Sequence, residues 1–196
     1  MSLSVTRRLP RALSRVFLGG QPLIEPDATE THLEKFMKHD SNVPPVDSAT
    51  AYGFRLCLKQ VDFSTAVNQT IEALKIEGFG VLTDIDVQAT MKAKLGIDVP
   101  PYRILGACSP RLAHRALTAE PDIGLLLPCN VVVRRDVGGS VTVSFMDPVA
   151  VLQLTTNPDV AIVAQEVRQR LERVRSMVAA QNGMGSLTPK GIADAS

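Results

Sequence analysis

The clearest pattern of apolar and polar positions begins near residue 52, where the two kinds alternate. The apolar series is Tyr52, Phe54, Leu56 and Leu58, and the residues between and after them are Gly53, Arg55, Cys57 and Lys59. A period of two predicts a strand with one buried and one exposed face, and it places Cys57 on the exposed face. Asp62 is positioned to cap a helix whose apolar residues follow at helical spacing, and Gly78 ends that helix.

The rest of the chain divides by the same criteria into further strands and helices. Strands are predicted over residues 79–85, 102–108, 123–135 and 140–146. Helices are predicted to begin after Asp86, Ser109, Asp147 and Asn157, residue types whose side-chain oxygens accept hydrogen bonds from the free amides of a first turn. Gly138 and Gly139 join the last two strands as a hairpin, and Pro128 indicates an edge position or a bulge within the strand over 123–135.

The order of these elements predicts the fold class. It runs strand, helix, two strands separated by a short helix, helix, hairpin and C-terminal helices. Because helices do not alternate regularly with strands and the hairpin reversal is tight, this order favours an antiparallel sheet over a doubly wound parallel one. The predicted fold is α+β, a two-layer sandwich of a mainly antiparallel sheet with helices on one face.

One domain is predicted between two peripheral segments. The domain spans residues 51–178, an N-terminal extension with a basic start and a proline-containing linker spans 1–50, and a flexible tail spans 179–196. Residues 1–20 carry Arg7, Arg8, Arg11 and Arg15 opposite an apolar helical stripe. An acid-poor, arginine-rich start is typical of a mitochondrial transit peptide, although Pro10 weakens the helix and a solvated tail accounts for the same residues.

Charge and hydropathy narrow the possible partners. The chain has 21 Lys and Arg against 20 Asp and Glu, so no overall field attracts nucleic acid or an anionic membrane. No apolar run approaches the roughly 18 residues that span a bilayer, which predicts a soluble protein. Three cysteines are an odd number and too few for a disulfide framework, which fits a reducing compartment. We expect an intracellular protein of the cytoplasm or the mitochondrial matrix, with no nucleic-acid or membrane partner.

Four blocks of sequence, in order over about residues 52–174, resemble the domain of unknown function 302 family. The blocks are 78–83 with Asp86, 101–108, 112–117 and 123–133. The resemblance implies a fold similar to the TATA-binding-protein-like arrangement, with one helix after the first strand and one after a run of antiparallel strands. It implies no established activity, and a fold shared with a DNA-bending protein is an analogy of architecture alone.

The candidate site is centred on Cys108, which ends a strand directly before the predicted helix start at Ser109 and Pro110. Free amides and the helix dipole at that point favour a thiolate, which predicts a lowered pKa for Cys108. Cys129, in the next strand, is expected beside it if the two strands are antiparallel neighbours. The candidate supporting residues are His114, Arg103, Arg111, Arg115 and Asn130.

Three interpretations of these residues stay open. Cys108 and Cys129 can be small buried core residues, with His114 a hydrogen-bonded helix residue. Alternatively, a reactive Cys108 thiolate is resolved by Cys129 in a redox or small-ligand site. In the third interpretation Cys108, Cys129 and His114 hold a soft metal ion at an open site, although their spacing matches no standard zinc signature.

No catalytic motif decides among these interpretations. The sequence has no Walker loop and no Gly-x-Ser-x-Gly elbow, and Gly78 with Gly80 lacks the third glycine of a dinucleotide loop. Whether the protein is an enzyme stays undecided, and no cofactor is predicted. We expect a redox-responsive or small-ligand-binding accessory module, with an enzyme of unknown reaction or a soft-metal-binding protein as alternatives. The uncovered sheet face, which presents Arg55, Cys57 and Lys59, further predicts a homodimer.

Overall fold

A computed structural model describes residues 50–184 of the 196-residue chain. Its strands are β1 Gly53–Leu58, β2 Gly80–Asp86, β3 Tyr102–Cys108, β4 Cys129–Arg135 and β5 Val141–Met146. Its helices are α1 Phe63–Ile76, α2 Val87–Leu95, α3 Pro110–Ala119, α4 Pro148–Leu152 and α5 Pro158–Gln181, with a 3-10 helix at Pro121–Leu126. The predicted import segment, the linker before Thr50 and the end of the C-terminal tail lie outside the described residues.

All five strands form one sheet in the order β1-β5-β4-β3-β2, and every neighbouring pair is antiparallel. Helices α1 and α5 pack on the same face of this sheet. The predicted α+β class is therefore confirmed. One helix follows β1 and the long helix α5 follows the β4-β5 hairpin, which is the element order that the family resemblance implied. Gly139 closes the hairpin turn with a φ of 82°, in the left-handed region that glycine adopts without strain.

The covered face of the sheet, the one that faces α1 and α5, carries the core. Alternate strand residues point toward the helices, and those buried there are Phe54, Leu56, Leu58, Leu105, Ala107, Cys129, Val131, Val133, Val141, Val143 and Phe145. The rings of Phe54 and Phe145 stack with centroids 5.4 Å apart, and the Arg175 guanidinium of α5 lies 5.5 Å from the Phe54 ring centroid. Burial of this apolar surface is the main favourable contribution to folding.

Four of the predicted helix caps are confirmed and one is wrong. Side chains that accept a first-turn amide hydrogen bond are those of Asp62, Asp86, Asp147 and Asn157. The Ser109 side chain makes no such bond. Helix α3 begins there without it because Pro110 has a preset φ and no amide to satisfy, while the Ser109 carbonyl accepts from the Ala113 amide at 2.9 Å.

The strand predicted over residues 123–135 is wrong in its first half. The 3-10 helix Pro121–Leu126 occupies that half and buries Ile123, and β4 begins only at Cys129. A continuous apolar run without a period of two does not distinguish a buried turn from a strand. Pro128 lacks the amide that a ladder needs, so pairing with β3 starts after it, with Cys129 opposite Ala107.

The C-terminal helix α5 and the β2 edge of the sheet differ in burial. Helix α5 continues to Gln181, past the domain boundary predicted at 178, and Ala179 is still buried. At the β2 edge, by contrast, Leu82 is 65% exposed and α2 has no buried residue. No helix within residues 50–184 is long and apolar enough to cross a membrane.

Candidate functional site

The two candidate thiols lie on neighbouring strands but on opposite faces of the sheet. Strands β3 and β4 are antiparallel neighbours, as expected, and Cys129 pairs with Ala107 on the covered face. Cys108 is the next residue along β3, so it belongs to the opposite face, which we call the open face. Cys129 is only 6% exposed, whereas Cys108 is partly exposed.

Burial controls the protonation of both thiols. It raises the pKa of Cys108 above its ordinary value. Burial, with a smaller effect of the nearby Cys108, raises the pKa of Cys129 to about 12. The predicted lowering of the Cys108 pKa is therefore wrong, because the loss of hydration disfavours the anion at this position despite the adjacent start of α3. Both thiols stay protonated at neutral pH.

The cations predicted to support the thiols bind elsewhere. The Arg103 Nε donates to Asp84 Oδ1 at 2.7 Å, and Arg115 Nη1 lies 2.8 Å from Glu166 Oε2 on α5. Arg111 is exposed on α3. Asp84 thereby holds Arg103 across the β2-β3 ladder. These arrangements stabilise the fold and supply no charge to Cys108.

The structure places His114 apart from the thiols. It lines a depression between α3 and α5 together with Arg115, Thr118, Ala119, Asp159 and Val163. Within residues 50–184 no three His, Cys, Asp or Glu side chains are grouped so that they could hold a metal ion. Cys108, Cys129 and His114 accordingly do not form the proposed soft-metal cluster, because the strand register turns the two sulfurs to different faces.

A cavity of about 390 Å³ lies on the open face, across β1, β5 and β4. We call it the sheet-face cavity. Its lining residues are Thr50, Tyr52, Gly53, Phe54, Arg55, Tyr102, Asn130, Val132, Arg134, Ser144, Phe145, Met146 and Val151. Ser144 marks its centre, because β5 lies between β1 and β4 and Ser144 is opposite Arg55 on one side and Val132 on the other.

One arginine of the cavity is held by a buried carboxylate. Arg134 Nη1 lies 2.6 Å from Asp136 Oδ1, and Asp136 is only 9% exposed. Its other oxygen, Oδ2, accepts hydrogen bonds from the hydroxyls of Thr142 at 2.6 Å and Ser140 at 3.3 Å. This network fixes one end of the cavity through side chains from both strands of the β4-β5 hairpin.

Two glycines define the limits of the cavity. A Cβ atom on Gly53 would lie 2.7 Å from the Phe145 carbonyl oxygen, so the backbones approach closely at the β1 side. A Cβ atom on Gly106 would lie 2.8 Å from Pro128 Cγ and would also collide with the Thr83 hydroxyl. Thr83 and Pro128 therefore fill the open face around Gly106, and of the β3 residues only Tyr102, at the other end of that strand, lines the cavity.

Of the candidate site residues named from the sequence, Cys108, Cys129, His114, Arg103, Arg111, Arg115 and Asn130, only Asn130 lines this cavity. A sequence signal existed for two further lining residues, Arg55 and Arg134. They occupy, like Asn130, the polar positions of the alternating pattern on β1 and β4, which point away from the core. The pattern of one strand does not give the order of strands, so the sequence could not bring these residues together.

The geometry can be compared with known proteins. The family described as "Domain of unknown function DUF302" matches residues 55–178, which is more than half of the chain. The chain is similar to a protein whose structure is described as "Crystal structure of uncharacterized conserved protein DUF302 from Bacillus stearothermophilus". The two share 25% sequence identity and a TM-score of 0.61, over 66% of this chain and 99% of that chain. No curated protein matches the chain. The resemblance of the four sequence blocks is thus confirmed, and the chain belongs to the DUF302 family.

Proposed function

We propose that the chain binds a small molecule in the sheet-face cavity and acts as a ligand-binding module. The observation that carries this proposal is the convergence of polar side chains from four strands, Arg55, Tyr102, Asn130 and Ser144 among them, around a cavity of about 390 Å³. Ligand pockets usually combine an apolar lining with a few placed polar groups and have about this volume. Val132, Met146 and Val151 supply the apolar part.

Binding is favoured over thiol chemistry because of the protonation and the placement of the two thiols, Cys108 and Cys129. A redox-responsive cysteine needs an accessible thiolate, and burial raises the pKa of both Cys108 and Cys129. A resolving cysteine must also reach its partner, whereas these two side chains leave opposite faces of the sheet.

Binding is likewise favoured over catalysis. The described residues that line the cavity include no His, Cys, Asp, Glu or Lys. General acid-base and nucleophilic mechanisms draw mostly on these residue types. An enzyme of unknown reaction therefore has weaker support than a binding module.

The proposal is tested with Nile red, a neutral dye that fluoresces in apolar surroundings. We expect the full chain to bind one molecule of dye per copy. Ser144→Trp, which fills the centre of the cavity, should weaken this binding at least tenfold. Asn68→Trp on the exposed side of α1 is the matched control and should bind as the natural chain does. Equal binding by both variants, or no saturable binding at all, would refute the proposal.

The homodimer predicted through the sheet face with Arg55, Cys57 and Lys59 stays untested, and we propose instead that two copies associate through β2, which leaves the sheet-face cavity open. This strand is at the sheet edge, where Leu82 and Ile85 are 65% and 47% exposed. An exposed apolar edge strand is a template for a second strand, and the same strand of another copy satisfies the two-fold symmetry of a dimer.

Sedimentation velocity at micromolar concentration should show a dimer that Leu82→Lys dissociates. Leu154→Lys, at an exposed site elsewhere, should leave it intact. A natural chain that sediments only as a monomer removes this proposal.

Mitochondrial import stays a prediction from the arginines of residues 1–20, which lie outside the described residues. A fluorescent fusion of the full chain should concentrate in mitochondria, and Arg8→Glu with Arg11→Glu should disperse it. A diffuse cytosolic signal from the unsubstituted fusion would contradict import without affecting the binding proposal.

A further inference from the structure

We infer that the β1 edge of the sheet is an interaction surface for the chain's own residues 45–49, which pair with it as a sixth, antiparallel strand. Among the described strands, β1 and β2 are the two end strands of the sheet. The outer side of an end strand presents backbone groups with which another strand can pair. In this arrangement the chain itself covers the β1 edge, and the β2 edge remains for a second copy.

A tight turn directs the chain along this edge. Thr50 and Gly53 form an antiparallel bridge, in which the Gly53 amide donates to the Thr50 carbonyl at 3.3 Å. The Thr50 hydroxyl also donates to the Gly53 carbonyl, at 3.1 Å. Ala51 and Tyr52 make the turn between them, and two residues are the commonest length of a hairpin connection. A chain that continues in the direction set by this bridge runs back beside β1.

The bridge lies on the side of β1 that faces away from β5. On the β5 side, the Asp147 amide donates to the Tyr52 carbonyl at 2.9 Å. Successive residues of a strand direct their backbone groups to opposite edges. Gly53, Arg55 and Cys57 therefore direct theirs away from β5, which is the side on which the Gly53 amide makes the bridge. A strand that continues the bridge pairs with these three residues.

The register of this pairing accounts for the positions of two prolines. Its hydrogen-bonded pairs beyond the bridge are Ser48 with Arg55 and Val46 with Cys57. Pro45 falls at a position whose backbone nitrogen points away from β1, so the missing amide removes no hydrogen bond. Pro44 falls at a position that requires an amide, so the pairing ends before it. A short strand that ends at prolines is typical of a protected sheet edge.

Asp47 gives the sixth strand a contact with α5. The Nε atom of Arg175 on α5 is buried and has no hydrogen-bond partner within residues 50–184, and the guanidinium lies 5.5 Å from the Phe54 ring centroid. In this register Asp47 is opposite Leu56, and cross-strand neighbours share one face of the sheet. Its carboxylate is thus on the covered face beside α5, where it supplies Arg175 with an acceptor and an opposite charge.

On the open face the same register adds to the sheet-face cavity, a step that rests on the proposed function. Thr50 and Arg55 line the cavity on its β1 side. Ser48 is the cross-strand neighbour of Arg55 on that face. The sixth strand thus extends this wall and adds a hydroxyl that can donate a hydrogen bond to a ligand or accept one from it.

The pairing is tested by amide hydrogen exchange of the isotopically labelled full chain, measured by NMR. The Arg55 and Cys57 amides point away from β5, so a strand on the outer edge protects them. We expect both to exchange at least about a hundredfold more slowly than amides of an unstructured peptide. Ser48→Pro removes the donor of a hydrogen-bonded pair and should raise both rates about tenfold or more. Ala49→Pro is the matched control, because the amide of that position points to solvent, and it should leave both rates within about threefold.

A second pair of variants tests the contact with Arg175. Asp47→Asn removes the charge beside the guanidinium and should raise both exchange rates about twofold to fivefold. Asp40→Asn, which lies before Pro44 and outside the sixth strand, should leave them unchanged. Unprotected Arg55 and Cys57 amides, or equal effects of the two proline variants, would overturn the inference. Protection that is lost on dilution would also overturn it, because a second copy would then cover the edge.

The contribution to the cavity is measured separately. Ser48→Trp should weaken Nile red binding by about threefold or more. Unchanged binding by this variant would remove Ser48 from the cavity wall. If Nile red does not bind to the natural chain, the proposed function fails, and the exchange rates still decide whether the sixth strand forms.

Discussion

The two faces of the sheet carry different kinds of side chain. On the covered face, Leu56, Leu105 and Val133 are completely buried and contact other apolar residues. On the open face, Arg55, Ser144 and Asn130 surround a cavity. These polar side chains keep part or most of their contact with water, so they contribute little to the hydrophobic core. The comparison therefore separates residues that maintain the fold from residues that a ligand can contact.

The largest expected effect compares neighbouring residues of β1. Leu56→Ala on the covered face should lower the free energy of unfolding by about 2–5 kcal/mol, because it removes a fully buried side chain and leaves a cavity. Arg55→Ala on the open face should lower it by less than about 1 kcal/mol. Urea denaturation followed by circular dichroism measures both. Similar losses would mean that the open face also belongs to the core.

A smaller loss of folding stability is expected at Gly106, where the side chains of Thr83 and Pro128 cover this part of the open face over β3. Gly106→Ala should destabilise the fold by about 1–3 kcal/mol, because the new methyl group collides with Thr83 and Pro128. Gly138→Ala is the control, since nothing lies within 4 Å of a Cβ atom there. The same denaturation assay gives the difference. Equal stability of the two variants would show that Thr83 and Pro128 do not pack over Gly106.

A third prediction concerns the pH dependence contributed by Cys129 on the covered face. Its pKa is raised from 9.0 to about 12 in the folded chain. Above pH 9 the unfolded thiol ionises while the folded thiol keeps its proton, so the unfolded state binds fewer protons and the free energy of unfolding falls as pH rises.

The test compares the natural chain with Cys129→Ala, which lacks this titration. The stability advantage of the natural chain should shrink by about 1 kcal/mol between pH 7.5 and pH 10. Cys108→Ala, on the open face, is the comparison variant, because burial raises the pKa of Cys108 as well. The stability advantage of the natural chain over this variant should also shrink as the pH rises. An advantage that stays constant or grows with pH would mean that Cys129 is hydrated in the folded chain.

Much of the fold could be predicted from local pattern. The alternation in β1 and the cap signal at Asp86 placed these elements correctly, because period and caps are local properties. The 3-10 helix at Pro121–Leu126 was missed because an apolar run without periodicity does not specify its backbone. The Ser109 side chain was assigned a hydrogen bond that the proline after it makes unnecessary.

The site was less predictable than the fold for a physical reason. The Cys108 argument used a local feature, the helix start behind it, and omitted the burial that raises its pKa and depends on tertiary packing. The sheet-face cavity depends on β5 lying between β1 and β4, a pairing of residues nearly ninety positions apart in sequence, such as Arg55 with Ser144. Asn130 was named as a support for the thiols and lines the cavity instead.

The most direct test of the central claim is a titration of the isotopically labelled full chain with octanoate and with octan-1-ol, followed by amide chemical shifts in NMR spectra. We predict that the largest shift changes map to Arg55, Asn130, Val132, Arg134 and Ser144 for whichever compound binds. Amides of α3 around His114 should stay unchanged. Changes centred on α3 or on Cys108, or no saturable change at millimolar concentration of either compound, would contradict a binding site on the open face.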